Sequence, residues 1–207
     1  MRRLAFLALA ALAPACGPTL PRGTVTLDAF GGKISCSDVT VSDLAKPYAN
    51  LHFKAGAIER IHLMDLGQTF RFGLLSGVLD GRIEDLRFTG GELTQFKLDL
   101  ETVRVRGVPQ FVNRRAIESI QRVLAGPLGV IEESLFGRFA FSEFGFTCGL
   151  KNDVFELAGK YRDGDTEYIM RGEWYQVPRI NIINARPGKK YDWKTIVTTL
   201  RGIYEEP

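Results

Sequence analysis

From Gly23 to about Arg106 apolar and polar residues alternate in short runs. Val25, Leu27 and Ala29 are interleaved with Thr24, Thr26 and Asp28; Ile34 and Cys36, then Val39 and Val41, follow; Leu51, Phe53 and Ala55 alternate with Asn50, His52 and Lys54. A period of two puts one set of side chains against apolar material and the other in water, which predicts strands. Phe70 and Phe72 lead into Leu74-Leu75, Leu79, Ile83, Leu86 and Phe88, and then Phe96, Leu98, Leu100, Val103 and Val105. Gly31-Gly32 turns the chain, and Gly90-Gly91 reads as a hairpin.

The middle changes period. Asn113 is placed to cap a helix over residues 114–125, with Ala116, Ile117, Ile120, Val123 and Leu124 on one face. Gly126 ends it, and Pro127 opens a second short helix to Phe136, stopped by Gly137. Strands return with Phe139, Phe141, Phe144, Phe146 and Cys148, whose parity changes near Ser142-Glu143, the mark of a bulge or turn. Residues 154–161 and 166–173 flank the hairpin turn Arg162-Asp163-Gly164-Asp165, and Ile180, Ile182 and Ile183 make a last strand. Asp192 caps a final helix whose Trp193, Ile196, Val197, Leu200, Ile203 and Tyr204 form a stripe that packs on the sheet or fits a partner groove. The pattern predicts a mainly β fold: a curled antiparallel sheet or β-groove with two short central helices and a C-terminal helix, in one domain over residues 24–207.

Within that sheet, Gly73, Leu75, Gly77, Leu79, Gly81 and Ile83 place glycine or a branched aliphatic at every second position. Glycine on a strand face lets a sheet bend sharply, or leaves space for a lipid chain or another backbone. Leu75, Leu79, Ile83, Phe96, Leu98 and Leu100 are the candidate apolar, lipid-facing residues.

The first residues change the picture of where the chain works. Arg2-Arg3, the apolar run Leu4 to Leu12 and the small residues around Ala13-Pro14-Ala15 read as an export signal over 1–15, too short to span a bilayer comfortably, which takes about 20 residues. Residues 16–23 are then a linker. Cys16, just after the small residues, is a candidate lipidation site in the manner of bacterial lipoproteins; simple cleavage leaves it in a flexible arm. Loss of the signal takes the 27 basic residues to 25 against 24 acidic ones, a net charge of about +1, which removes the electrostatic support for a nucleic-acid partner. Cys36 and Cys148 are a candidate disulfide in an oxidising periplasm, or two buried thiols.

Catalytic chemistry is missing from the text. His52 and His62 have no Cys or carboxylate at metal-ligand spacing. Neither a Gly-x-Ser-x-Gly elbow nor a phosphate-binding loop occurs, and Asp163 and Asp165 lack the further oxygens that calcium requires. Glu132 and Glu133 are helix neighbours that point apart. The expectation is a binding or assembly protein without cofactor or metal, not an enzyme.

The run from Phe72 to Ile83, then Gly90-Gly91-Glu92-Leu93 and Phe96 to Val103, resembles the C-terminal region of AsmA-like proteins. The similarity continues through residues 107–113, 116–120, 136–139, 150–155 and 180–200, and so covers most of residues 24–204. The resemblance implies a periplasmic protein with a long curled sheet, apolar inside, that shelters phospholipid acyl chains in transport between membranes or in outer-membrane assembly. It implies as partners acyl chains, a longer AsmA-like groove protein that this chain completes by strand addition, and a membrane surface if Cys16 is lipidated. Members of that family are usually several times longer and begin with a membrane helix; this chain matches their terminal portion alone.

Overall fold

The structure is a computed structural model, and it describes residues 24–43, 47–124, 137–173 and 180–205. The export signal, the linker with Cys16 and the second central helix over 127–136 lie outside these residues.

Among the described residues, fourteen strands and three helices follow one another along the chain. The first seven strands are β1 (Val25–Ala29), β2 (Gly32–Ser42), β3 (Asn50–His62), β4 (Leu75–Ser76), β5 (Val78–Thr89), β6 (Glu92–Val103) and β7 (Phe111–Asn113). The rest are β8 (Arg138–Ala140), β9 (Glu143–Lys151), β10 (Val154–Gly159), β11 (Tyr161–Asp163), β12 (Thr166–Arg171), β13 (Ile182–Ile183) and β14 (Lys190–Asp192). The helices are α1 (Leu63–Thr69), α2 (Arg114–Leu124) and α3 (Trp193–Glu205). The large sheet is antiparallel, in the order β1-β2-β3-β5-β6-β9-β10-β14, with β11, β12 and β13 joined to it through β9; β4-β7-β8 form a small second sheet.

Turn chemistry sets the register. Phe30-Gly31, Gly90-Gly91 and Asn152-Asp153 all have positive φ at both central positions, the geometry that matches the twist of a tight hairpin. The first turn therefore falls one residue earlier than Gly31-Gly32. Asn113 caps α2 as expected, its Oδ1 accepting from Ala116 N at 2.9 Å and also from Leu74 N at 3.0 Å. Asp192 Oδ2 accepts from Thr195 N at 2.9 Å and caps α3. The parity change at Ser142 is a change of sheet: β8 belongs to the small sheet and β9 to the large one.

The mainly β, antiparallel architecture is as predicted, but the sheet is open and uncurled, with β1 and β14 at opposite edges. The Gly-Leu alternation that suggested a curl does not lie on one strand. Gly73 and Gly77 take φ of 106° and 147° and break the run, so Leu75 goes to the small sheet and only Leu79 to Ile83 lie on β5. Helix α1 was not foreseen in strand-like text. It is two turns long, has no side-chain cap, and holds Gly67 where a Cβ would lie 2.6 Å from the Gly73 carbonyl oxygen.

A line of phase change crosses the sheet. Apolar positions are even and then odd along β2 (Ile34, Cys36, then Val39, Val41), and odd and then even along β3 (Leu51, Phe53, then Gly56, Ile58). Register sets Asp38 and Asp85 on either side of Lys54, and both aspartates have left-handed φ, 52° and 53°. Leu93 and Phe96 of β6 differ in parity yet pack against the same buried cluster. The shift thus keeps the apolar side chains on one face, where a regular strand would turn them over. Asp85 ties the line together, accepting from Arg87 Nε at 2.7 Å, pairing with His52 Nε2 at 2.7 Å, and accepting from Gln95 Nε2. The Arg87 hydrogen bond is the main reason its carboxyl titrates below the ordinary range; the His52 contact adds to this, against the opposing effect of burial.

Part of the apolar face is covered. Ile61, Leu63, Leu79, Leu100, Val112, Ile117, Phe139, Phe141, Ile169, Met170 and Ile182 make the main core beneath the small sheet and α2. Cys148, Leu150, Phe155 and Ile196 make a second cluster under α3, joined to the first through Leu98, Phe146 and Leu157. Glu167, 3% exposed, fastens this side: Gly159 N and Asn184 Nδ2 each donate to its Oε1 at 2.7 Å, and Arg162 donates to Oε2 at 3.1 Å.

Candidate functional site

Two apolar rows run side by side across seven strands. One is Val25, Cys36, Gly56, Ile83, Leu98, Cys148, Leu157; the other is Leu27, Ile34, Ile58, Gly81, Leu100, Phe146, Gly159. Beyond the phase line two shorter rows continue the face, Val39-Phe53-Leu86 and Val41-Leu51-Phe88-Leu93. On β6, β9 and β10 the long rows sink into the core. On β2, β3 and β5 Ile34, Cys36, Ile58, Ile83, Val39, Val41, Leu51, Leu86 and Phe88 are partly buried, with Phe53 among them buried and Ile34 and Ile58 packed against the margin of the main core. This panel of aliphatic and aromatic side chains is the candidate binding surface.

The predicted lipid-facing residues divide between the two parts. Leu75, Leu79 and Leu100 are 8%, 4% and 8% exposed and belong to the main core, so they are not available to a ligand. Ile83, Phe96 and Leu98 are half-buried, Phe96 between Phe155 and Trp193 with ring centroids 6.4 and 6.0 Å away. The space beside the glycines is filled from within. A Cβ on Gly81 would lie 2.4 Å from Leu100 Cδ2, one on Gly73 2.5 Å from Ala116 N, and one on Gly77 3.3 Å from Leu63 Cδ1. Glycine here serves close packing of the protein on itself. Ile34, Ile58, Leu51, Leu86 and Phe88, absent from the predicted lipid-facing set, are partly buried in the same degree as Ile83, Phe96 and Leu98.

Cys36 and Cys148 are free thiols, which corrects the disulfide expectation. They share a row but are separated by β3, β5 and β6, a span of roughly 19 Å at the ordinary strand spacing, where a disulfide needs Cα atoms within about 7 Å. Burial raises both thiol pKa values, that of Cys148 to about 12, so each acts as a small apolar side chain.

The opposite face is polar. Lys160 Nζ lies 2.8 Å from Asp99 Oδ1 and 3.0 Å from Glu101 Oε2, Lys97 pairs with Glu84 at 2.9 Å, and Lys190 with Glu156 at 3.2 Å. Burial disfavours the Lys160 charge, but the two carboxylates outweigh it and its pKa rises. Burial and the nearby Glu143, Glu101 and Asp99 push the Tyr161 phenol up to about 12. Among the described residues no group of His, Cys, Asp and Glu could hold a metal ion, and no helix is long and apolar enough to cross a membrane. No protein-family model, curated protein or solved structure matches the chain.

Proposed function

We propose that this chain is a periplasmic lipid-handling module that shelters phospholipid acyl chains on the partly exposed panel of β2, β3 and β5, and that it works by binding, not catalysis. The observation that supports this reading is the division of a single apolar face, among the described residues, into a buried part and a barer, partly exposed part that continues on both sides of the phase line. Its dimensions suit the ligand. With β1 beside it, the panel of β1, β2, β3 and β5 spans roughly 14 Å, close to the ~15 Å that a chain occupies in half of a bilayer's ~30 Å hydrocarbon core. Each methylene taken from water contributes about 0.8 kcal/mol, so affinity needs no headgroup contact. The resemblance of residues 72–83 and 96–103 to AsmA-like proteins points the same way, toward phospholipid movement between membranes and outer-membrane biogenesis.

Mass spectrometry of lipid extracted from the purified protein tests this reading. Phospholipid should accompany the native chain and be lost from Ile34→Glu and Ile83→Glu, while both variants keep a cooperative thermal transition. A native protein that carries no lipid from its own cells, and takes none from phospholipid vesicles, would end the reading.

A further inference from the structure

The edge strand β1 pairs, among the described residues, only with β2. Ala29 and Gly32 flank the two-residue Phe30-Gly31 turn, and such a hairpin closes on a hydrogen-bonded pair. Ala29, Leu27 and Val25 therefore spend their backbone groups on β2, and the N–H and C=O of Thr26 and Asp28 point to the free edge. Edge strands are commonly guarded by lysine, proline or a bulge. β1 has none of these and a single charge, Asp28: its sequence is Val-Thr-Leu-Asp-Ala, its five pairs with β2 run without a register shift, and Leu27 is 42% exposed.

We propose that β1 pairs antiparallel with β1 of a second copy of this chain, about a two-fold axis through Leu27. In that register each Thr26 faces the second copy's Asp28, and the four outward donors and acceptors satisfy one another as two hydrogen-bonded pairs. Leu27 meets Leu27 at the non-hydrogen-bonded position, where side chains approach most closely. Val25 faces Ala29, no charge stands opposite its like, and each Asp28 has Lys33 beside it on β2. A slip by one residue would set the apolar face of one copy beside the polar face of the other. The segment reads apolar-polar-apolar-polar-apolar from either end, and this self-complementarity selects a second copy over an unrelated strand. Pairing would join two bare panels into one uninterrupted apolar surface. The inference needs only the free edge and stands whether or not the panel holds lipid.

Sedimentation velocity of the full chain across a dilution series should show a reversible monomer–dimer equilibrium. Thr26→Pro removes an outward N–H and leaves the β2 ladder intact, so it should be monomeric with an unchanged melting transition. With Cys16 and Cys36 replaced by Ser, Leu27→Cys should cross-link to dimers under mild oxidation, because paired Cα atoms at that position lie roughly 4.5 Å apart, within reach of a disulfide. Thr26→Cys should not cross-link, since Thr26 faces Asp28. The cysteine pair decides the matter if Thr26→Pro fails to fold. A native chain monomeric at every concentration, an edge taken only by a different protein, or equal cross-linking by both cysteines would overturn the proposal.

Discussion

Two halves of one apolar face have different fates in this protein. On β6, β9 and β10 the rows pass under the small sheet, α2 and α3, and Leu100, Cys148, Leu150 and Phe155 are buried. On β2 and β3 the same rows carry Ile34, Cys36 and Ile58, which are only partly buried, Ile34 and Ile58 at the margin of the main core. The strands alternate in the same way in both halves. What differs is the segment that later parts of the chain lay over them. Alternation within a strand states that a face is apolar; it does not say what covers it.

Charge substitution tests the contrast most severely. Leu100→Glu places an unpaired carboxylate in the core at a cost of several kcal/mol, comparable with the ~5–15 kcal/mol that holds a domain together. It should abolish the cooperative melt. Ile34→Glu, in the same row, should cost at most about 1–2 kcal/mol, the apolar burial of a partly buried side chain. Similar losses in the two variants would show that the bare half is as well covered as the other.

Glu167 sharpens the comparison at intermediate size. Glu167→Ala leaves Gly159 N without its acceptor and Asn184 Nδ2 with Leu157 O alone, a loss of about 1–3 kcal/mol for a buried unsatisfied group. Urea unfolding should report it, and amide exchange should quicken in β10 and β12 before β2 and β3. Uniform quickening would mean that the two halves open as one.

The smallest effect is a pH dependence on the polar face behind the covered half. Tyr161 titrates at about 12 in the folded protein, above its ordinary ~10. The stability this represents is therefore complete below about pH 10 and is lost as pH climbs through the folded value. Lys160, also raised, shifts stability in the same direction. Urea midpoints should fall on passing from about pH 8 to about pH 11, and Tyr161→Phe should reduce the fall.

Local chemistry was the part most legible in the sequence. Asn113 and Asp192 cap the helices they precede, because a side-chain oxygen before an apolar-periodic run has an orphan N–H to meet. The Gly90-Gly91 hairpin and the break near Ser142 were equally plain. Contacts distant in sequence were not. The alternation from Gly73 to Ile83 reads as one open strand until Ala116 and Leu100 are seen beside its glycines, and no local signal marks Ala116 as a neighbour of Gly73. Helix α1 was hidden by its length and lack of a cap. Nothing in the sequence singled out Glu167, since its partners Asn184 and Gly159 are 17 and 8 positions away. For the candidate surface, the apolar character was readable and the division between core and bare panel was not.

The phase line through Asp38, Lys54, Asp85 and Gln95 bears on how such a chain can change over generations. In a regular strand a single-residue insertion or deletion inverts everything beyond it. Here β2, β3, β5 and β6 all shift phase at the same row, so the lengths of the four strands are not independent characters. Losing Asp38 alone would set Ile34, Cys36, Val39 and Val41 in regular alternation on one face but leave Lys54 of β3 with no residue opposite it, a one-residue mismatch in the ladder. Gaining or losing the step in one strand therefore takes a bulge, or a matching change, in its neighbour, as the register shifts of β5 against β6 at this level illustrate.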